Sequence, residues 1–212
     1  YGVFEDAEKA FALEDSTEDI MDREYPLESG LVPVLIQSVI QELADKTVKP
    51  EDVILVHGGT GANFTAVSTI VEPGDNVISI VPNYQQYISI PKSIGAEVRD
   101  VYLKPEEGWI LNVEEVRKLV DQNTKAIMFT NPNNPTGYLY TRSEMNQIRD
   151  LVKKYDLYLL SDEVYREFIY TKQPYISAFH LEGIEDHVIL IDSVSKRYSE
   201  CGIRIGALIT KN

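Results

Sequence analysis

The stretch "KAIMFT", Lys125–Thr130, runs straight into "NPNNPTG", Asn131–Gly137. An apolar segment ending in a stiff polar corner decides the reading of the whole chain. "KAIMFT" has the length and composition of a buried strand. The prolines at 132 and 135 push the residues before them out of helical geometry. Asn133 and Asn134 are thereby held in extended or turn conformations, with side-chain amides available as donors. Alone, the corner is a turn with spare amides.

Outward from it the chain alternates strand and helix patterns. "DVILVHGG" (52–59), "NVISIV" (76–81), "AEVRDVYL" (96–103), "LYLLSDE" (157–163), "HVILIDS" (187–193) and "RIGALIT" (204–210) read as strands. "ANFTAVSTIV" (62–71) has helical spacing, and "YQQYISIPKSIG" (84–95) is helix-like but interrupted by Pro91. "NVEEVRKLVDQ" opens with an Asn112-to-Glu115 cap, and "TRSEMNQIRDLVKKY" with a capping box from Thr141 to Glu144. Val32–Leu43 reads as a helix leading into the first strand. Nearly all-apolar strands separated by capped helices predict an α/β fold, a mainly parallel sheet sandwiched by helices. Residues 1–30 are more acidic and irregular and are set apart as an N-terminal arm, with 31–212 as the main domain.

Bulk properties exclude several classes. The 212 residues carry 34 acidic and 20 basic side chains, a net charge of −14, and no Lys/Arg stripe. Nucleic acid and anionic membrane are therefore poor partners. No apolar run has membrane-spanning length. Cys201 is the single cysteine; it excludes an internal disulfide, fits a reducing cytosol and reads as packing. His57, His180 and His187 lack paired ligand spacing and read as structural histidines. The opening "YGVFEDAEKAF" reads as the middle of a longer chain.

In such folds ligands gather at the carboxyl ends of the strands. The first end carries "HGGTGAN" (57–63), whose glycines free backbone N–H groups at a helix N-terminus. Phe64 stands where a dinucleotide fingerprint needs its last glycine, which disfavours a nicotinamide-binding oxidoreductase. "PNYQQY" (82–87) brings Tyr84 and Tyr87 to the rim as stacking aromatics or as core. "SDEVYREF" (161–168) puts Asp162 at the end of an apolar strand. It is either a helix cap or a carboxylate awaiting a cation, and Tyr165 could face the same space. "DSVSKRYSECGIRIG" (192–206) adds Lys196 and Arg204 with Ser193 and Ser195, a set suited to an anion or a carbonyl adduct.

Together with "EYPLESG" (24–30) and "PGD" (73–75), these motifs in this order resemble the class I/II aminotransferases, fold type I pyridoxal-phosphate enzymes typified by aspartate aminotransferase. The resemblance spans nearly the whole chain. It implies that Lys196 forms the imine with the aldehyde of pyridoxal 5'-phosphate and that Asp162 pairs with the pyridine nitrogen. Asn134 and Tyr165 would bond the ring's phenolic oxygen, and Tyr84 would stack on the ring. Ser193, Ser195, Arg204, Gly59 and Thr60 would form the phosphate cup. Tyr25 would reach the phosphate of a neighbouring subunit, which implies a homodimer with shared sites. The resemblance further implies an enzyme moving an amino group between an amino acid and a 2-oxo acid by ping-pong kinetics, and the single cysteine makes a cytoplasmic location the expectation. A carbon–sulfur β-lyase, an aminocyclopropane-carboxylate synthase-like enzyme, and a silent fragment or regulatory domain share the motifs. The family's C-terminal small domain, with its arginine for the substrate carboxylate, has no counterpart before Asn212, so the chain is expected to be the large domain with the small domain largely missing.

Overall fold

A computed structural model describes residues 48–212, together with Pro33, Ile36 and Gln37. The chain divides between Val34 and Leu35, and the sheet and its helices belong to the second unit. The helix expected over Val32–Leu43 and the residues of the N-terminal arm otherwise lie outside the described residues.

Seven strands form one sheet: β1 (Val53–Val56), β2 (Asn76–Val81), β3 (Glu97–Tyr102), β4 (Thr124–Thr130), β5 (Tyr158–Asp162), β6 (Val188–Ser193) and β7 (Gly206–Thr210). Their spatial order is β1-β7-β6-β5-β4-β2-β3. The pairs from β6 through β5, β4 and β2 to β3 are parallel, whereas β7 runs antiparallel to both β6 and β1. The expected α/β, mainly parallel architecture is therefore present, with one reversed strand near an edge.

Both faces of the sheet are covered. In β4 the odd residues Ile127 and Phe129 join one apolar cluster with Ile78, Leu159 and Leu190. The even residues Ala126 and Met128 join a second, with Val77, Leu160 and Ile191. The strict alternation of side chains along a strand splits a continuous apolar run between two cores. Helix α4 (Arg142–Tyr155) covers the first face with Met145, Ile148, Leu151 and Val152, at helical spacing. Helix α3 (Val113–Leu119) adds Val113 and Val116 to the same side. Helices α1 (Gly58–Ile70) and α2 (Gln86–Ile94) cover the second face through Ala62, Ala66, Val67 and Tyr87.

Local chemistry sets the ends. Thr141 and Glu144 form the expected capping box of α4. Asn112 caps α3 by accepting from the Glu114 N–H at 3.1 Å, one residue earlier than the Asn112-to-Glu115 pairing predicts. Pro91 lies inside α2 rather than interrupting it, and the helix ends at Gly95, φ 94°. "DVILVHGG" is strand only over Val53–Val56, because His57 already caps α1. "SDEVYREF" is turn rather than helix after Asp162.

Two glycines lock α1 onto the sheet. Gly58 has φ 69°, and a Cβ there would overlap the Arg204 guanidinium. A Cβ at Gly206 would overlap the Gly58 backbone. β7 can thus enter the sheet only where backbone meets backbone, which draws Arg204 to the N-terminus of α1. Gly206→Ala is expected to destabilise by about 1–3 kcal/mol through overpacking. Gly202→Ala, whose Cβ meets nothing within 4 Å, should leave the urea midpoint unchanged and serves as the control.

Candidate active site

One pocket opens where the carboxyl ends of β4, β5 and β6 meet the N-terminus of α1, with a volume of about 170 Å³. Every site residue expected from the motifs, apart from Tyr25, lines it: Gly59, Thr60, Tyr84, Asn134, Asp162, Tyr165, Ser193, Ser195, Lys196 and Arg204. Tyr25 lies outside the described residues. Asn63, Gln86, Tyr87, Val164 and Cys201 line the pocket as well.

The corner after β4 resolves its three asparagines into two kinds. Asn131 is fully buried and donates from Nδ2 to the Ile176 carbonyl at 3.0 Å. Asn133 is also buried; its Nδ2 donates to the Pro82 carbonyl, and its Oδ1 accepts from the Thr136 N–H and hydroxyl. These two amides stitch the turn and are not free donors, contrary to the expectation for Asn133. Asn134 is fixed through its backbone N–H, which donates to Thr130 Oγ1 at 2.9 Å, and its side chain lines the pocket. The bonds preceding Pro132 and Pro135 are both cis.

Asp162 terminates β5 at the floor of the pocket and is 8% exposed. Its Oδ1 accepts from the Val164 N–H at 3.1 Å, capping the turn, and its Oδ2 accepts from the Tyr87 hydroxyl at 2.8 Å. The helix-cap reading is corrected to a turn cap, and the carboxylate lines the pocket. Burial outweighs the two hydrogen bonds and pushes the carboxyl up to about 6, with the nearby Asp192 and Glu163 carboxylates adding in the same direction. The same burial and the Asp162 charge push the Tyr87 phenol well above its ordinary value, so it stays a neutral donor. Tyr87, open between core and site on sequence grounds, is both.

Lys196 sits on the short helix α5 (Val194–Arg197), which Ser193 caps by accepting from the Ser195 N–H. The Lys196 ammonium lies 5.9 Å from the centre of the Tyr165 ring. Ser193 Oγ donates to Ser195 Oγ at 2.8 Å, and Arg204 Nη1 donates to Ser195 Oγ at 3.3 Å and to the Cys201 carbonyl at 2.8 Å. Two hydroxyls, a guanidinium and the N-terminus of α1 thus form one cradle for an anion. Arg204 is held at φ 60°, a left-handed conformation that turns the loop back into the site. Cys201 is exposed and lines the pocket, with Sγ 3.1 Å from the Ser195 carbonyl. The packing role read from the sequence is corrected: the loop from α5 to Arg204 stays at the surface, and Cys201 stays with it.

Behind the pocket lies an ion network with no motif of its own. Asp192 is fully buried and accepts from Arg166 at 2.8 Å and from Arg197 at 3.3 Å. It joins the turn after β5 to the helix bearing Lys196. Glu163, equally buried, accepts from Ser161 at 2.9 Å, from the Ala178 N–H at 2.8 Å and from the Tyr175 hydroxyl. Of the histidines, His180 accepts from the Ser177 N–H, and His187 Nδ1 lies 3.1 Å from the Leu157 carbonyl, as structural histidines do. Among the described residues no His/Cys/Asp/Glu group could hold a metal, and no helix is long and apolar enough to cross a membrane.

The raised Asp162 value has a consequence for stability. Between the unfolded value near 3.9 and about 6, the folded protein holds a proton that the unfolded chain has lost, so stability falls as pH rises through that window. Asp162→Asn should therefore raise the stability of the cofactor-free protein at pH 7 by about 3 kcal/mol, and the gain should vanish as pH falls through that window toward about 4. Thermal or urea unfolding from pH 4 to 8 reads this directly.

Comparison with known proteins bears on the family and the fold. The family model described as aminotransferase class I and II matches residues 26–212. Kynurenine–oxoglutarate transaminase 3 of Rattus norvegicus is 35% identical over 175 residues, 78% of this chain and 38% of its own length. Aspartate/prephenate aminotransferase of Thermus thermophilus is 31% identical, covering 82% of this chain and 46% of its own. A structure of a PLP-dependent aminotransferase from Streptococcus suis superposes with a TM-score of 0.76 at 39% identity, over 84% of this chain and 46% of that one. Aspartate aminotransferase from Thermotoga maritima gives a TM-score of 0.79 at 31% identity, over 85% of this chain and 48% of that one. The chain spans less than half the length of these curated relatives. With its fold, its motifs and the match from residue 26 onward in agreement, the chain belongs to the class I and II aminotransferases.

Proposed function

We propose that residues 31–212 form the cofactor-binding large domain of a pyridoxal-phosphate-dependent aminotransferase. The observation that carries this reading is the arrangement around Asp162. A buried carboxylate shares one pocket with a lysine and an anion cradle. A protonated heteroaromatic nitrogen supplies the cation that Asp162 lacks, and a phosphate supplies the anion that Arg204, Ser193, Ser195 and the α1 N-terminus are set to receive. The donor set thus fits the cofactor at both ends, and the named relatives are aminotransferases, one of them described as PLP-dependent.

When bound, pyridoxal phosphate supplies an electron sink for breaking the substrate Cα–H bond. The protein's own contributions follow from position. Asp162, ionised by a cationic partner, would keep the ring nitrogen protonated, and Tyr87, which donates to it, would hold the carboxylate in place. Asn134 and Tyr165 would donate to the ring's phenolic oxygen, and Tyr84 would serve as the stacking aromatic. Arg204 would hold the phosphate through its planar guanidinium, which lysine could not reproduce. Lys196 would hold the cofactor and, when freed by a substrate amine, would serve as the base and acid that moves the proton at Cα.

The reaction class that suits this set is amino transfer between an amino acid and a 2-oxo acid by a ping-pong route. The same residues serve a carbon–sulfur β-lyase, in which pyruvate and ammonia would form with no acceptor acid. Tyr25 would complete the phosphate cup of a second subunit in a homodimer, and the lone exposed Cys201 suits a cytoplasmic setting.

Incubation with pyridoxal phosphate followed by borohydride should leave a pyridoxyl group on Lys196, found by peptide mass. Lys196→Ala should carry none while still binding the cofactor through Asp162 and Arg204. A wild-type protein that takes up no cofactor would sink the assignment. An amino-acid donor should then convert the bound cofactor to its amine form, whereas release of pyruvate without an acceptor would select the lyase.

A further inference from the structure

Asn63 takes no part in the cofactor contacts assigned so far, yet it is the most anomalous polar side chain of the pocket. It is 1% exposed, and neither its Nδ2 nor its Oδ1 has a hydrogen-bond partner. Each buried group left unpaired costs about 1–3 kcal/mol. Its neighbours on α1, Ala62, Ala66 and Val67, are packed in the apolar cluster that also holds Tyr87 and Val164. An apolar side chain at this position would carry no unpaired polar atoms. The side chain lines the pocket, and the pocket is the polar space it can address.

Its place on α1 says which end it addresses. Gly59 stands at the first turn, where a Cβ would meet Ser193, Ile191 and Val164. Asn63 comes four residues later, about 6 Å along the helix axis and on the same face. That displacement leads away from the anion cradle at the helix N-terminus. α1 and α2 cover the same face of the sheet, and α2 contributes Tyr87, the donor to Asp162. Asp162 still has acceptor capacity, since each carboxylate oxygen takes one protein donor here and can take a second.

We propose that Asn63 is a positioning residue for the buried end of the pocket, its carboxamide turning to donate toward the Asp162 carboxylate when a protonated ring nitrogen is bound. The inference rests on the pyridoxal-phosphate reading and deepens it. By donating toward the carboxylate, Asn63 favours its ionised form and hence the protonated ring. A protonated ring withdraws electrons and lowers the basicity of the nitrogen linking the cofactor to Lys196. The unpaired amide then destabilises the empty protein and is satisfied on loading.

Asn63→Leu keeps the branching and number of side-chain heavy atoms and removes both polar groups, though it is bulkier; Asn63→Ala removes the same amide without bulk, should leucine not be accommodated; Asn63→Ser restores a small donor and acceptor. Three quantities are read: the melting temperature of the cofactor-free protein, the affinity for pyridoxal phosphate, and the pH midpoint of the absorbance change of the Lys196-bound chromophore. Asn63→Leu should melt higher than wild type when empty, bind pyridoxal phosphate about tenfold more weakly, and shift the midpoint upward by about one pH unit. Asn63→Ser should return the midpoint toward wild type. Leu and Ala variants that leave affinity and midpoint at wild-type values, or an empty Asn63→Leu protein that melts lower, would overturn the inference while leaving the cofactor reading intact. A wild-type protein that takes up no pyridoxal phosphate would overturn both.

Discussion

Asp162 is a carboxylate at the end of an apolar strand, buried, and held with an elevated proton affinity. Its two hydrogen-bond donors, the Tyr87 hydroxyl and the Val164 N–H, orient its oxygens but bring no charge. Arg166 and Arg197 pair with Asp192 and lie near Glu167. A protein under selection for stability alone would place a neutral residue here. The rest of the site becomes intelligible once this residue is taken as waiting for a cation that arrives with a ligand.

The fold delivers that arrangement by simple means. A parallel sheet covered on both faces gathers the carboxyl ends of β4, β5 and β6 at one rim, and the residues after each strand face a common space. The reversed strand β7 then returns Arg204 to the same rim, held there by the close approach of Gly206 to Gly58. The Arg166–Asp192–Arg197 network ties the turn after β5 to the helix carrying Lys196, so the floor and the lysine are mechanically one piece. On the proposed reading, stability given up at Asp162 and Asn63 is exchanged for complementarity to a ligand with a cationic ring and an anionic tail.

Much of this is legible in the sequence, for physical reasons. Apolar runs such as "KAIMFT" and "HVILIDS" are long enough to be buried on both faces, so their strands and the parallel sheet can be read. Thr141 and Glu144 mark a helix start because the capping chemistry is local. Asn134, Asp162, Lys196 and Arg204 stand out because polar residues at apolar strand ends need a reason. What escapes depends on contacts between distant segments. Asn63 looks like any polar residue inside a helix until its burial and lack of partners are seen. Asn133 reads as a free donor in the sequence, whereas in the fold the Pro82 carbonyl, 51 residues away, occupies it. Pro91 reads as a break, yet α2 continues through it. Arg166 lies in a different stretch from Asp192 and Arg197, and the three meet only in the folded chain.

The most direct test is to follow the Asp162 carboxyl carbon by 13C NMR through a pH titration, with and without pyridoxal phosphate, using Asp162→Asn to assign the signal. Without cofactor the carboxyl should titrate near 6. With cofactor bound it should titrate below the ordinary carboxylate value of about 3.9, because a cationic ring nitrogen now faces it. A midpoint that stays where it was, or moves up on loading, would contradict the claim that this buried carboxylate is the counter-ion around which the site is built.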